Sequence, residues 1–231
     1  MSHTDYTDSS GNDYLHVSAI SKVADDPTGL IKWAKKLTEK EADDIYEKRT
    51  KEGQEIHSAL KDFLFSVNVP DVSLVSRYAP YCEIADHWAQ VTDVTFDEDL
   101  SEKSIIDHEL RITATPDFVA ERKGYGVGVG DWKTGSNFYH SQIIQVVGYA
   151  YLLGRNKSLN FPLEWVTIVR FDKLKASSEK TFIKELKRTR KFYLKDCAIA
   201  IEERQEKITP KLIDIFLHCY DVVKFRKEII L

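Results

Sequence analysis

Two aspartates and a lysine near the middle of the chain have the spacing of a small catalytic or metal-binding set. Asp117 closes a Thr-Pro-Asp segment, and after a gap of thirteen residues Asp131 and Lys133 flank a tryptophan. In a strand, residues two apart face the same side, so the carboxylate of Asp131 and the ammonium of Lys133 share one face while Trp132 faces away. Asp117, at the end of the neighbouring strand, would add a second carboxylate. Two carboxylates form the hard-oxygen site that Mg²⁺ or Mn²⁺ prefers.

Such a site suits phosphodiester hydrolysis. A divalent cation would bridge a phosphate oxygen and a water, lower the pKa of that water and neutralise charge in the transition state, while Lys133 orients the water or the phosphate. The alternative is structural: Asp131 and Lys133 form an exposed strand ion pair, and Asp117 caps a turn. An isolated D-x-K pattern is more often structural, so the surrounding residues must decide.

Five segments in chain order resemble the motifs of the PD-(D/E)XK nuclease superfamily. Within it they are most similar to the RecB-like exonucleases, a branch with the mitochondrial genome maintenance exonucleases and their phage and bacterial relatives. The resemblance extends over about residues 53–171. The five segments are G-x-x-x-H ending at His57, Glu102 fifteen residues before Asp117, the turn that ends at Asp117, D-W-K-T at residues 131–134, and Q-x-x-x-Y at Gln145 and Tyr149. Ala114 stands where the family pattern has glycine, which affects only the tightness of one turn.

The resemblance implies a metal-dependent DNA exonuclease of recombination, repair or DNA degradation, acting on single-stranded or frayed ends and leaving 5′-phosphates. It implies Mg²⁺ or Mn²⁺ bound by His57, Asp117, Asp131 and the carbonyl of Trp132. It implies a catalytic set of Asp117, Asp131, Lys133 and Glu102. Gln145 and Tyr149 would contact the DNA strand or order Lys133.

These residues also have structural interpretations. A single histidine on an apolar helix face, such as His57, is often a core residue, and Glu102 lies in an acidic run of a kind that is usually solvated. Gln145 and Tyr149 would then only pack on the core. For the whole chain, a non-catalytic nucleic-acid-binding module with a vestigial nuclease fold, a structure-specific endonuclease and RNA cleavage stay open.

A strongly basic segment follows the motifs. Residues 173–195 contain nine Lys or Arg and two Glu. As a DNA groove, this segment would supply sequence-independent phosphate contacts, with Lys184, Lys187, Arg188 and Lys191 as the candidate residues. A solubilising helix face is the alternative.

The elements that must position these residues indicate an α/β fold with a restriction-endonuclease-like core. We expect a mixed central sheet of about five strands, flanked by the His57 helix, the Gln145 helix and basic C-terminal helices. Periodicity predicts helices at about 28–36, 41–65, 78–90 and 139–153, and strands near 94–100, 110–114, 126–133 and 163–171. Glycines alternate over residues 124–130 without the spacing of a nucleotide-binding loop, so they are expected to make room for a neighbouring element.

Composition bounds the remaining possibilities. The chain has 231 residues, 42% hydrophobic, with a net charge of -4, so any DNA contact must come from a local basic surface. Residues 1–13 are expected to form a flexible polar tail without a signal sequence, and 14–231 one nuclease domain. No apolar run is long enough for a membrane span, and three scattered cysteines argue against an iron-sulfur cluster. The expected location is the cytoplasm, a host cytoplasm if a phage encodes the chain, and the expected partners are DNA and a recombination or repair protein.

Overall fold

The computed structural model describes residues 6–9, 11–65, 71–135, 137–156, 162–174, 184–185, 189–194 and 196–230. The helices are α1 (Val17–Ser21), α2 (Thr28–Ala34), α3 (Glu39–Leu64), α4 (Val72–Arg77), α5 (Ala79–Val91), α6 (His140–Arg155) and α7 (Pro210–Ile230), with a 3-10 turn at Lys22–Ala24. The strands are β1 (Tyr6–Thr7), β2 (Asp13–His16), β3 (Val94–Asp97), β4 (Ile105–Asp107), β5 (Ile112–Ala114), β6 (Phe118–Arg122), β7 (Gly126–Lys133), β8 (Leu163–Lys173), β9 (Lys184–Glu185), β10 (Arg190–Phe192) and β11 (Ile199–Lys207). The α/β class is as predicted.

The strands form two mixed sheets. The larger has the order β3-β6-β7-β8-β11-β10-β9, and the smaller has the order β1-β2-β5-β4. In the larger sheet β7 and β8 are parallel, because α6 forms the crossover that connects them. The other neighbouring strands of this sheet are antiparallel. The prediction of about five strands is therefore too low.

Each face of the larger sheet has its own hydrophobic cluster. On one face Val129 and Ile168 pack with residues of α1, α6 and α7. On the other face Trp132 packs with Phe118 and with residues of α3 and α5, including Trp88. Alternation along β7 therefore sends Asp131 and Lys133 towards α6, and Trp132 away from it, as the sequence predicts.

The alternating glycines of β7 make room for aromatic rings. A Cβ on Gly128 would lie 2.1 Å from the ring of Trp165, and a Cβ on Gly130 would lie 2.0 Å from the ring of Phe118. The expectation that these glycines accommodate a neighbouring element is confirmed at both positions. The two rings are fully buried and form part of the cluster around Trp132, so the glycines help to fix the strand that carries the site.

Substitution of Gly130 by alanine is expected to destabilise the protein by about 1–3 kcal/mol, because the new methyl group must displace the ring of Phe118. The matched control is Gly154→Ala in α6, where a Cβ meets nothing within 4 Å. There alanine is expected to raise the free energy of unfolding by about 0.5–1 kcal/mol, since a helix favours alanine over glycine. Urea unfolding of both variants measures the difference, and equal effects would contradict the packing argument.

The prediction of basic C-terminal helices is wrong for residues 190–192 and 199–207 but confirmed for the last helix, which is α7. Residues 190–192 and 199–207 are strands, and β11 pairs with β8 over nine residues in an antiparallel ladder. The charged run after Ile201 has high helix propensity, but burial of Ile199 and Ile201 on the sheet outweighs that propensity.

The described residues of the segment that was predicted to be a tail contain a β-hairpin. Tyr6 and Thr7 pair with Asp13 and Tyr14 in an antiparallel hairpin. Within the turn, Asp8 Oδ1 accepts a hydrogen bond from the backbone N–H of Asn12 at 2.9 Å. The side chain of an aspartate closes such a turn locally, which the polar composition alone does not reveal. None of the helices in the described ranges is both long and apolar enough to cross a membrane.

Candidate metal and catalytic site

Asp117 and Asp131 lie side by side on adjacent strands. Asp117 immediately precedes β6, and the antiparallel register pairs Phe118 with Gly130. Continuing that register by one residue puts Asp117 opposite Asp131. The backbone N–H of Trp132 donates to Asp117 Oδ2 at 2.7 Å and fixes that carboxylate. The predicted strand before Asp117 belongs to the smaller sheet, yet the predicted juxtaposition of the two carboxylates is present.

His57 reaches the same place from α3. A capping box at the start of the helix, in which Thr38 and Glu41 satisfy each other's backbone N–H groups, sets where α3 begins. Ile56 and Leu60 are fully buried, which turns this face of α3 towards the sheet. His57 Nδ1 lies 3.3 Å from Asp117 Oδ2, so the side chain that the sequence placed on the inward face contacts the first carboxylate.

Lys133, Gln145 and Tyr149 surround the second carboxylate. Lys133 Nζ lies 2.5 Å from Asp131 Oδ2 and donates to Gln145 Oε1 at 3.2 Å. Gln145 Nε2 donates to Asp131 Oδ1 at 3.1 Å and also to the hydroxyl of Tyr149. The Q-x-x-x-Y spacing puts both side chains one helical turn apart on the face of α6 that lies over β7. Gln145 thus holds Lys133 and Asp131 in one hydrogen-bonded unit.

Glu102 borders this cluster. Its backbone has the left-handed conformation, with φ of 57°, and its N–H donates to the carbonyl of Pro116. A non-glycine residue in that region is strained, and such strain occurs often at functional sites. Glu102 Oε2 lies 3.9 Å from Lys61 Nζ, one helical turn beyond His57 on α3. The structure therefore brings His57, Asp117, Asp131 and Lys133 together, with Glu102 close enough to feel their charges.

The charges of the cluster shift its pKa values in opposite directions. Burial opposes the charge of His57, but the carboxylate of Asp117 outweighs burial and raises the pKa of His57 to about 9. Burial likewise opposes the charge of Asp117, yet the His57 imidazolium and Lys133 keep the pKa of Asp117 below its ordinary value. His57 and Asp117 are therefore an ion pair at neutral pH.

Asp131 and Lys133 form a second pair. Burial and the charge of Asp117 raise the pKa of Asp131 to about 6. Burial opposes the charge of Lys133, but the two aspartates outweigh it and keep the pKa of Lys133 above its ordinary value. Two positive side chains thus balance two carboxylates, which is the same charge that one divalent cation would bring.

The donor atoms fit a hard divalent cation in type. Asp131 Oδ2 is buried and accepts no hydrogen bond from the described residues, although it is ion-paired with Lys133. Asp117, Asp131 and the Trp132 carbonyl would supply oxygens, which suit Mg²⁺ and Mn²⁺, and His57 would add one nitrogen. As the side chains stand, no three His, Cys, Asp or Glu residues in the described ranges are grouped closely enough to hold an ion. A cation would need the Lys133 ammonium to move aside and His57 to lose its proton.

Glu102 is expected to make the metal-free protein less stable at high pH. Burial and the charges of Asp117 and Asp131 raise the pKa of Glu102 from 4.5 to about 7. Because the folded state holds the proton more tightly, this contribution to stability is complete below pH 4.5 and is lost as the pH rises to 7. Glu102→Gln should therefore stabilise the protein by about 1–3 kcal/mol at pH 8 and have little effect at pH 4.5.

The measurement is urea unfolding in EDTA at both pH values. The exposed Glu98→Gln serves as the matched control and should leave the pH dependence unchanged. A Glu102→Gln variant that is less stable than the parent at pH 8 would show that the charged carboxylate is favourable in the folded state.

The predicted DNA-contacting residues differ in their exposure and in their distance from the site. Gln145 is half-buried at the site, whereas Tyr149 is 2% exposed and has no surface to offer to a DNA strand. Direct contact of Tyr149 with DNA is therefore not supported, and the other predicted role, ordering the site, fits its contacts. Lys191 forms an ion pair with Asp172. The sheet order places Lys191 three strands from Lys133, on the order of 14 Å away.

The remaining basic candidates cannot be placed as side chains. Lys184 belongs to β9 by its backbone. Lys187 and Arg188 lie outside the described residues.

Two residues near the site were not predicted. Lys61 follows His57 by one helical turn, a spacing that would have revealed it. Arg170 pairs in register with Lys133 and donates to the carbonyl of Gly135 at 3.4 Å, just beyond the D-W-K-T segment. Its signal was a cation within residues 165–171, where Thr167 is the one other polar residue.

A comparison of the chain with models of known protein families found no match, and a comparison with curated proteins found none either.

Proposed function

We propose that the protein is a Mg²⁺- or Mn²⁺-dependent deoxyribonuclease with a restriction-endonuclease-like core, acting as an exonuclease on single-stranded or frayed DNA ends. The observation that carries the proposal is the convergence of His57, Asp117, Asp131 and Lys133. They come from a helix and two strands, and they form one buried polar cluster. Clustered ionisable groups with pKa values shifted in opposite directions are characteristic of catalytic sites.

Each side chain has a defined part in this proposal. When bound, the cation would activate a water and neutralise charge on the scissile phosphate. The carboxylates of Asp117 and Asp131 and the imidazole of His57 would hold it, and the N–H of Trp132 fixes the orientation of Asp117. Gln145 keeps Lys133 beside the site, where its ammonium can stabilise a phosphate oxygen or orient a water.

The remaining parts of the proposal concern location and partners. We propose a cytoplasmic nuclease, in a host cytoplasm if phage-encoded, whose partners are DNA ends and a recombination or repair protein.

The test is a time course of the purified chain on 5′- and 3′-labelled DNA, single-stranded and duplex, with Mg²⁺, Mn²⁺ or EDTA. We expect metal-dependent release of short products from linear DNA and none from closed circular DNA. Asp131→Asn should abolish release, while Glu98→Gln, an exposed carboxylate, should behave like the parent. Cutting of closed circles would indicate an endonuclease, and faster cleavage of RNA would indicate a ribonuclease.

One observation favours a second candidate, a non-catalytic nucleic-acid-binding module. The ion pairs His57–Asp117 and Lys133–Asp131 satisfy the cluster without a metal. Thermal unfolding with and without Mn²⁺ separates the two. At a Mn²⁺ concentration about 100 times its dissociation constant, a genuine site stabilises the fold by about 2.7 kcal/mol. The second candidate would be supported if EDTA and Asp117→Ala left nucleic-acid binding unchanged and Mn²⁺ did not raise the unfolding temperature.

A further inference from the structure

The outer face of α7 is an unpartnered apolar seam that the proposed function does not use. α7 packs its inner face on the core through residues such as Phe216 and Cys219. Ile215, Val222 and Phe225 are 38%, 39% and 61% exposed, and Ile215 lies beside the buried Cys219, about 40° from it round the helix axis. Exposed apolar residues at a regular spacing on one helix indicate an interaction surface.

The spacing of these residues is a heptad. With Ile215 and Val222 at a positions, His218 and Phe225 fall at d, and all four are exposed. The buried Phe216 falls at b, on the side of the helix away from the a/d seam. Cys219, at the e position beside this seam, is buried, and Ile215 lines a hollow with Ile143 and Ile144 of α6. A second helix docked on this seam would therefore lie against α7 and beside α6.

We propose that a second copy of this chain covers this seam, with the two α7 helices parallel across a two-fold axis. Asp214 and Asp221 occupy g positions, Arg226 occupies an e position, and all three are exposed. In a parallel pair, g faces the e position five residues later on the other helix, so Asp221 faces Arg226 of the second copy. The two-fold axis produces this contact twice, and each time it joins a carboxylate to a guanidinium.

Charge selects the parallel arrangement. An antiparallel pair brings g against g, which places the acidic flanks formed by Asp214 and Asp221 against each other. A two-fold pair is also closed, so it satisfies the seam without forming a filament.

The test is sedimentation of the full chain over a range of concentrations. We expect the mass to rise from that of one chain, 26.6 kDa, towards twice that value. Phe225→Glu should abolish this rise. Asp221→Arg and Arg226→Asp should each weaken association at least about tenfold through like-charge contacts, and combining them should restore it. Lys224→Glu, exposed but outside the seam, is the matched control.

Orientation has its own measurement. Val222→Cys is expected to cross-link rapidly under mild oxidation, because a faces a only in a parallel pair and disulfides need nearby Cα atoms. The parent chain is the control for its three native cysteines. Circular dichroism and thermal unfolding verify that every variant folds. A chain that stays monomeric, or a dimer indifferent to Phe225→Glu and to both charge reversals, would overturn the proposal.

Discussion

Lys133→Ala is expected to slow metal-dependent DNA hydrolysis by about 10²- to 10³-fold, the loss seen when one preorganised group that stabilises transition-state charge is removed. Without metal the ammonium lies 2.5 Å from Asp131 Oδ2, and its hydrogen bond to Gln145 keeps it beside the site when a cation takes that oxygen. Alanine removes the charge and its hydrogen bonds. The rate is measured in single turnover at saturating Mn²⁺, which separates the chemical step from product release.

A comparison of metal binding with rate distinguishes catalysis from folding. Lys133 is not among the proposed ligands, so Lys133→Ala should retain stabilisation by Mn²⁺. It should even gain affinity, because a positive charge has left the site. Asp131→Asn should lose both the rate and the Mn²⁺ stabilisation. This contrast is the signature of a residue that acts on the phosphate and does not hold the metal.

The matched control is Lys123→Ala, an exposed lysine in the turn between β6 and β7. It should leave the rate within about twofold of the parent, since surface substitutions away from special features change little. A Lys133→Ala variant with an unchanged rate and an unchanged Mn²⁺ effect would remove Lys133 from the proposed catalytic set.

The site was predictable because its residues lie on regular elements with strong periodicity. Alternation along β7 separates Asp131 from Trp132, and helical spacing places His57 and Gln145 on inward faces. These rules need no knowledge of distant pairing. The prediction for Asp117 required a strand next to β7. The pattern predicted that strand before Asp117, whereas in the structure the strand is β6, which follows Asp117. The contact survived this error because Asp117 sits at the junction of the two segments.

Residues 190–207 were less predictable because long-range pairing determines their structure. β11 is rich in charged residues that favour helix in isolation, and only its ladder with β8 makes it a strand. Glu203 appears in the sequence as one member of a solvated run, yet its side chain is fully buried. No local pattern marks which charged residue in such a run will be enclosed.

Glu203→Gln is expected to destabilise the protein by about 3–5 kcal/mol, because it removes the counter-charge of a buried arginine. Arg122 Nη1 lies 2.9 Å from Glu203 Oε1, and these side chains are 1% and 0% exposed. Arg190 Nη2 contacts the second oxygen, Glu203 Oε2, at 2.7 Å. Glutamine keeps the shape but leaves Arg122 charged inside the sheet.

The surroundings of Arg122 explain why the loss cannot be recovered locally. Its guanidinium lies over the rings of Trp88 and Trp165 at 5.7 and 5.6 Å, and its Nη2 already has no hydrogen-bond partner among the described residues. Cation–π contacts favour the charge but do not replace a carboxylate in a dry environment.

Urea unfolding of Glu203→Gln measures the effect, with Glu121→Gln as the control. Glu121 is an exposed carboxylate next to Arg122 in β6, and its substitution should change stability by less than about 0.5 kcal/mol. Replacing both partners, in Arg122→Met with Glu203→Leu, should recover most of the lost stability, because an apolar pair needs no counter-charge. If Glu203→Gln were as stable as the parent, the buried pair would not be contributing in the way its geometry implies. If the double variant were the least stable, the hydrogen bonds of Arg122 to Gln205 and to the Thr92 carbonyl would matter more than its charge.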